Sequence, residues 1–188
     1  VLSNKNKTKT SEVYSFVTDV REISTKEQFY ELATTGKSGD TATTSTTIYA
    51  LANDLDFTDF TWSLDNKSSL APFVGQFNGN GYTIKNISIE GSSANKNTNL
   101  FYKVQNGSII NAKFENISIV NKDSSAGKLV GIVGQMQGGY MYNISMNNIT
   151  VAGAERVGGL VGQIIGGYNY FEKCQLINTT ATLTVKAK

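Results

Sequence analysis

The chain has 188 residues, with 17 basic and 15 acidic side chains and a net charge of +2; this balance excludes recognition driven by charge, of nucleic acid or of an anionic membrane. It contains no histidine, which excludes His-based general acid/base chemistry, Ser-His and Cys-His nucleophiles and the commonest zinc ligand. Its one cysteine, Cys174, cannot close an internal disulfide and is expected as a small core residue rather than a reactive thiol.

In chain order, residues 1–10 are polar and read as a flexible linker. Residues 11–20 alternate and read as a strand. The stretch "ISTKEQFYELATTG" reads as the one helix: Ser24 or Thr25 caps it, Glu27 or Gln28 closes a capping box, Phe29 and Leu32 mark an apolar face, and Gly36 ends it. Residues 36–47 read as a low-complexity loop, and "IYALANDLDF" as a strand. The segment 11–47 is therefore expected as an N-terminal cap, with the helix lying over an open end. The longest apolar runs, "KLVGIVGQM" and "VGGLVGQII", are short and broken by glycine, so neither suits a bilayer span.

From Phe73 onward the dominant signal is repetition. "NISI" at 86–89, "NISI" at 116–119, "NITV" at 148–151 and "NTTA" at 178–181 place Asn86, Asn116, Asn148 and Asn178 at spacings of 30, 32 and 30. A second register aligns "FVGQ" at 73–76 with "IVGQ" at 132–135 and "LVGQ" at 160–163, with "NLFYK" at 99–103 in the equivalent slot. A third aligns "GGYMY" at 138–142 with "GGYNY" at 166–170. A unit of about 30 residues with no helix cannot bury its own apolar face and must stack on its neighbours. The expectation is an all-β fold, a right-handed parallel β-helix of about four coils over residues 48–188, with a short strand and helix as its cap.

Stacking gives the repeated asparagine a mechanism, because amides in equivalent positions can hydrogen-bond from rung to rung. Asn86, Asn116, Asn148 and Asn178 are expected to form such a structural ladder. Each also begins an N-x-[ST] sequon, as do Asn6, Asn66, Asn106 and Asn143. The repeat by itself accounts for half of these, so the ladder is preferred to glycosylation as their meaning.

The order of "YALANDLDF", Trp62, "FVGQFNGNGYTIKNISI", "GIVGQ" and "GGLVGQ" resembles the GLUG-repeat β-helix domains of bacterial surface adhesins. The Gly-Leu-x-Gly core of that family corresponds here to "GLVG" at 159–162 and "GIVG" at 131–134, and the similarity covers about residues 48–181. Similar repeats occur in non-catalytic regions of streptococcal immunoglobulin-A metallopeptidases. The resemblance implies a solenoid scaffold, an extracellular location on a bacterial surface or in secreted form, and a place in a larger multidomain chain. It supplies no catalytic residues.

The glycines of "GGLVGQIIGG" match neither phosphate-loop pattern and repeat earlier as "GIVGQMQGG", which favours packing. Asp54, Asp56 and Asp59 are weak candidates for a metal, with hydrogen bonding within the first coil as the default. Carboxylates are sparse in the repeats, and Glu115 would stand beside Asn147, so no acid pair for polysaccharide cleavage is expected. Tyr140 and Tyr142 would align with Tyr168 and Tyr170. Exposed, these four could bind a glycan or a host protein; facing inward, they would be a core stack. The expected function is non-enzymatic, adhesin-like binding by an extracellular module, without cofactor, nucleic-acid partner or membrane insertion. A structural spacer in a larger protein is the alternative, and a polysaccharide-acting enzyme a third.

Overall fold

A computed structural model describes residues 19–38, 41–63, 71–91, 97–122 and 129–184. The linker, most of the strand read at 11–20, and the sequons at Asn6 and Asn66 lie outside these residues. The chain begins with β1 (Asp19–Ile23) and α1 (Lys26–Thr35). The helix starts where the local chemistry dictates. Thr25 accepts from the Gln28 N–H through its hydroxyl at 3.2 Å, while the Gln28 side chain accepts from the Thr25 N–H at 3.1 Å. Gly36 ends it in the left-handed region, at φ 62°, donating to Leu32 O.

A two-residue antiparallel hairpin follows, β2 (Lys37–Ser38) and β3 (Thr41–Ala42), within the stretch read as a loop. The solenoid then winds through β4 (Thr47–Leu51) and β5 (Leu55–Asp56), β6 (Gln76–Asn78) and β7 (Thr83–Gly91), β8 (Asn97–Ile110) and β9 (Lys113–Asn121), and β10 (Leu129–Tyr142) and β11 (Ser145–Gly153). Its last coil is β12 (Arg156–Val157), β13 (Val161–Ile164), β14 (Asn169–Glu172) and β15 (Gln175–Leu183). One parallel sheet runs β1-β4-β6-β8-β10, and β12, β13 and β14 all pair with β10; the other runs β5-β7-β9-β11-β15. The fold is a β-solenoid of about five turns. The sequence reading of about four coils counts the four asparagine repeats; β4 and β5 form one more coil ahead of them, and β1, assigned there to a separate cap, pairs in parallel register with β4.

The asparagine repeat organises the core. Ile84, Phe114 and Met146 stack in one column, Ile87, Ile117 and Ile149 in a second, and Ile89, Ile119 and Val151 in a third. All nine are buried. Strict alternation would send residues 84 and 87 to opposite faces. Asn86 takes φ 62°, as Asn116, Asn148 and Asn178 take 52°, 56° and 48°. One left-handed residue per strand resets the alternation, and the chain turns both flanking isoleucines inward. Asparagine is among the few residues other than glycine that tolerate that conformation.

The helix packs against the core beside β8. Phe29 is fully buried, with its ring 5.5–6.3 Å from those of Phe57, Trp62, Phe77 and Phe101. It packs against β8, whose pairing with β6 is confined to Ser108–Ile110. Among the described residues, the last coil is the exposed one. Leu176 continues the Met146 column and Phe171 the Met141 column, yet they are 49% and 41% exposed.

Two of the three repeat registers need correction. "IVGQ" and "LVGQ" do stack, through Val133↔Val161 and Gln135↔Gln163, and "NLFYK" fills the same slot through Phe101↔Val133 and Lys103↔Gln135. "FVGQ" does not belong there. Phe73 bridges Val104, and Gln76 pairs with Ser108, five positions beyond Lys103. The third register is offset as well, with Tyr140 paired to Tyr170 and not to Tyr168.

Candidate functional site

The second half of β10 carries the aromatic residues. Tyr140 pairs with Tyr170 and Tyr142 with Glu172. The expected stacks Tyr140/Tyr168 and Tyr142/Tyr170 do not form. From Met136↔Ile164 to Gly139↔Asn169 the last coil is two residues longer than the coil before it. Gly166 and Gly167, at φ 43° and 69°, take up the surplus in a turn, and everything after it shifts by two.

The shift separates the four tyrosines into two kinds. Tyr140 and Tyr142 stack on each other along their own strand, ring centroids 5.8 Å apart and planes within 18°. Tyr140 donates its hydroxyl hydrogen to Glu172 Oε2 at 3.2 Å. Lys173 donates to the Tyr142 hydroxyl at 2.7 Å, with Nζ 4.9 Å from the ring centroid. Partial desolvation and then the Glu172 carboxylate raise the Tyr140 pKa above the ordinary tyrosine value, while the hydrogen bond to Tyr142 raises that of Lys173. Both tyrosines are half-buried, whereas Tyr168 and Tyr170 are 83% and 59% exposed.

Tyr140, Tyr168 and Tyr170 form one end of an open groove of about 560 Å³ that crosses the coils and reaches Ser45 at the other end. Gly75, Gly107 and Gly139 occupy successive rungs along its floor. A Cβ on Gly139 would lie 2.5 Å from Gly107 O, and its φ of 135° disfavours any side chain. Gln76, Asn106 and Ser108 supply amides and a hydroxyl. Among the described residues no charged side chain lines the groove.

The other candidates fall elsewhere. Asn148 donates to Asn116 Oδ1 at 2.8 Å and Asn116 to Asn86 Oδ1 at 3.2 Å. Asn86 donates to Asp56 Oδ1 at 2.8 Å, and Asn178 stands next in register beyond Asn148. Sequence reasoning missed a second ladder, Asn143 to Asn111 at 2.9 Å and Asn111 to Asn78 at 3.3 Å. Its spacings of 32 and 33 carry the same period.

Asp54 accepts from the Thr83 N–H at 2.8 Å. Asp56 accepts from the N–H and hydroxyl of Thr58 and lies 3.6 Å from Lys85 Nζ. Those hydrogen bonds, with that from Asn86, hold its carboxyl well below the usual carboxylate range. Asp59 sits in a turn at φ 63°. Among the described residues no three carboxylate, thiol or imidazole side chains converge on a common point for a metal. Glu115 pairs with Asn147. Cys174 is half-buried against Met141 O, and burial raises its thiol pKa. Among the described residues, no helix is long and apolar enough to cross a membrane.

No family model matches the chain, nor does any curated protein. One solved structure is similar, that of a Bacteroides ovatus protein named "putative immunoglobulin A1 protease", at 16% identity and a TM-score of 0.43. The match covers 73% of this chain and 52% of that one, so this chain spans about half the length of the protein it resembles.

Proposed function

We propose that this chain is a non-enzymatic binding module of an extracellular bacterial surface protein, of the GLUG-repeat kind, and that it engages a glycan or host protein as adhesins do. The observation that carries this reading is the tyrosine-walled groove. It pairs exposed aromatic surface with amides and a hydroxyl on a rigid floor, the composition of a recognition site. Among the described residues no carboxylate lines it, so these residues do not form the acid pair that glycoside hydrolysis uses. Rigidity comes from the scaffold, since Gly107 and Gly139 of the floor belong to strands paired on both sides.

An array of glycans and extracellular-matrix proteins, probed with the wild type and with a Tyr168→Ala/Tyr170→Ala double variant, tests the proposal. Binding by the wild type that the variant loses supports it. Silence of the wild type across the array sinks it. The spacer reading draws on a different observation, the exposed Phe171 and Leu176, which another coil of the same period would bury.

A further inference from the structure

The chemistry of the groove selects among ligand classes. An anionic ligand such as a phosphate or a uronate would call for arginine or lysine, and among the described residues no charged side chain lines the groove. An extended peptide captured by strand addition would need free backbone donors and acceptors. Here the floor is already paired: the Ser108 N–H donates to Gly75 O and the Gly139 N–H to Tyr168 O, each at 2.9 Å. What the groove presents besides is neutral: the amides of Gln76 and Asn106, the hydroxyl of Ser108, which donates to Gln76 Oε1 at 3.5 Å, and the rings of Tyr140, Tyr168 and Tyr170.

From these features we infer that the groove binds a neutral, extended oligosaccharide lying along the solenoid axis, an inference that rests on the binding-module reading above. A sugar ring has two kinds of surface. Its C–H face is apolar and packs on an aromatic ring, and its hydroxyl rim needs donors and acceptors that need no charge. The groove supplies both in separate places. The exposed Tyr168 and Tyr170 rings at one end are the stacking platform, and Gln76, Asn106 and Ser108 two or three rungs away are the hydrogen-bonding rail. From Gln76 to Tyr170 is three rung intervals, roughly 14 Å at about 4.8 Å each, a distance that one monosaccharide does not span and a short chain does. The floor of Gly75, Gly107 and Gly139 places no side chain between the two.

Calorimetric titration tests this with three probes: neutral malto-, cello- and chito-oligosaccharides of increasing length, hyaluronan as an anionic glycan, and gelatin as an extended polypeptide. The inference expects one neutral series to bind, with affinity rising with length until the groove is filled. Tyr168→Ala and Tyr170→Ala should each weaken that binding by roughly tenfold. Tyr168→Phe should retain most of it, because stacking survives loss of the hydroxyl. Asn106→Asp, which places a charge on the rail, should weaken it without changing the thermal midpoint. Hyaluronan or gelatin binding in place of the neutral sugars, and lost in the tyrosine variants, would overturn the ligand class while leaving a binding module. Neutral-sugar binding that survives both alanine variants would overturn the site. No binding by any of the three probes would overturn the inference, and silence on the wider array as well would overturn the binding-module reading with it.

Discussion

The amide of Asn86 donates to Asp56 Oδ1 at 2.8 Å, and that contact gives the main asparagine ladder its end. Every amide in the ladder donates toward the N-terminal side, Asn148 to Asn116, Asn116 to Asn86 and Asn86 to Asp56. The terminal position has only to accept. A carboxylate accepts without donating and makes a stronger, charge-assisted bond, and Thr58 and Lys85 supply it with further partners.

This arrangement sets a pH dependence. A carboxyl whose folded pKa lies below its unfolded value stabilises the folded state above the unfolded value, about 4. The contribution fades as pH falls from there toward the lower folded value. Asp56 is lowered in this way. Asp56→Asn keeps an acceptor oxygen but no charge, so its urea midpoint should fall less than that of the wild type between about pH 6 and pH 3. Parallel slopes for the two proteins would show that Asp56 does not carry the acid sensitivity.

Asn116 separates the ladder from the backbone requirement. Asn116→Gly loses the two amide bonds but keeps the left-handed conformation at little cost, an expected loss of about 1–2 kcal/mol. Asn116→Ala loses the same bonds and adds left-handed strain of about 1–2 kcal/mol. Equilibrium urea unfolding should therefore rank wild type above glycine above alanine. Equal losses for the two variants would mean that φ at this position carries no energetic weight.

The same double constraint explains what was legible from residues alone. "NISI", "NISI", "NITV" and "NTTA" mark the solenoid because all four asparagines take a left-handed φ, and Asn86, Asn116 and Asn148 are selected a second time by the amide above or below them. Thr25, Gln28 and Gly36 were legible because capping is local chemistry. The groove was not. Gly75 sits in "FVGQ", which matches "IVGQ" in letters but stands five positions further along its coil. Glycine motifs recur at different corners of one coil, so similarity of letters does not give register. Gly166-Gly167 likewise hid a two-residue insertion that moved Tyr170 beside Tyr140.

Met146 and Leu176 occupy the same column, one fully buried and the other 49% exposed. Met146→Ala removes packed methylene groups and leaves a cavity, for an expected loss of about 2–5 kcal/mol. Leu176→Ala leaves no enclosed cavity and should cost no more than about 1 kcal/mol. Chemical denaturation of the two variants measures the difference. A Leu176→Ala loss as large as that of Met146→Ala would show that the C-terminal end is covered in solution.

Two glycines at positive φ separate strain from crowding. Gly81, at φ 79°, has nothing within 4 Å of an added Cβ, whereas at Gly139 the Cβ would strike Gly107 O at 2.5 Å. Gly81→Ala should cost about 1–2 kcal/mol, the conformational penalty alone. Gly139→Ala adds a clash with backbone that is itself held by rung hydrogen bonds, and should exceed about 3 kcal/mol or prevent folding. Thermal midpoints give the ranking. A tolerated Gly139→Ala would mean that the floor of the groove yields.

Glu172 holds one wall of the groove in place by accepting from the Tyr140 hydroxyl at 3.2 Å. Desolvation and this neighbouring carboxylate both keep the phenol protonated, so Tyr140 should ionise above the ordinary tyrosine range. Glu172→Gln removes the negative charge but keeps a carbonyl acceptor at the same length. The Tyr140 pKa should then fall toward the ordinary value, read as a chemical-shift titration of ring-labelled tyrosine. If Tyr140 titrates identically in the wild type and in Glu172→Gln, the carboxylate does not orient this wall, and the Tyr140 ring is held by its stack on Tyr142 alone.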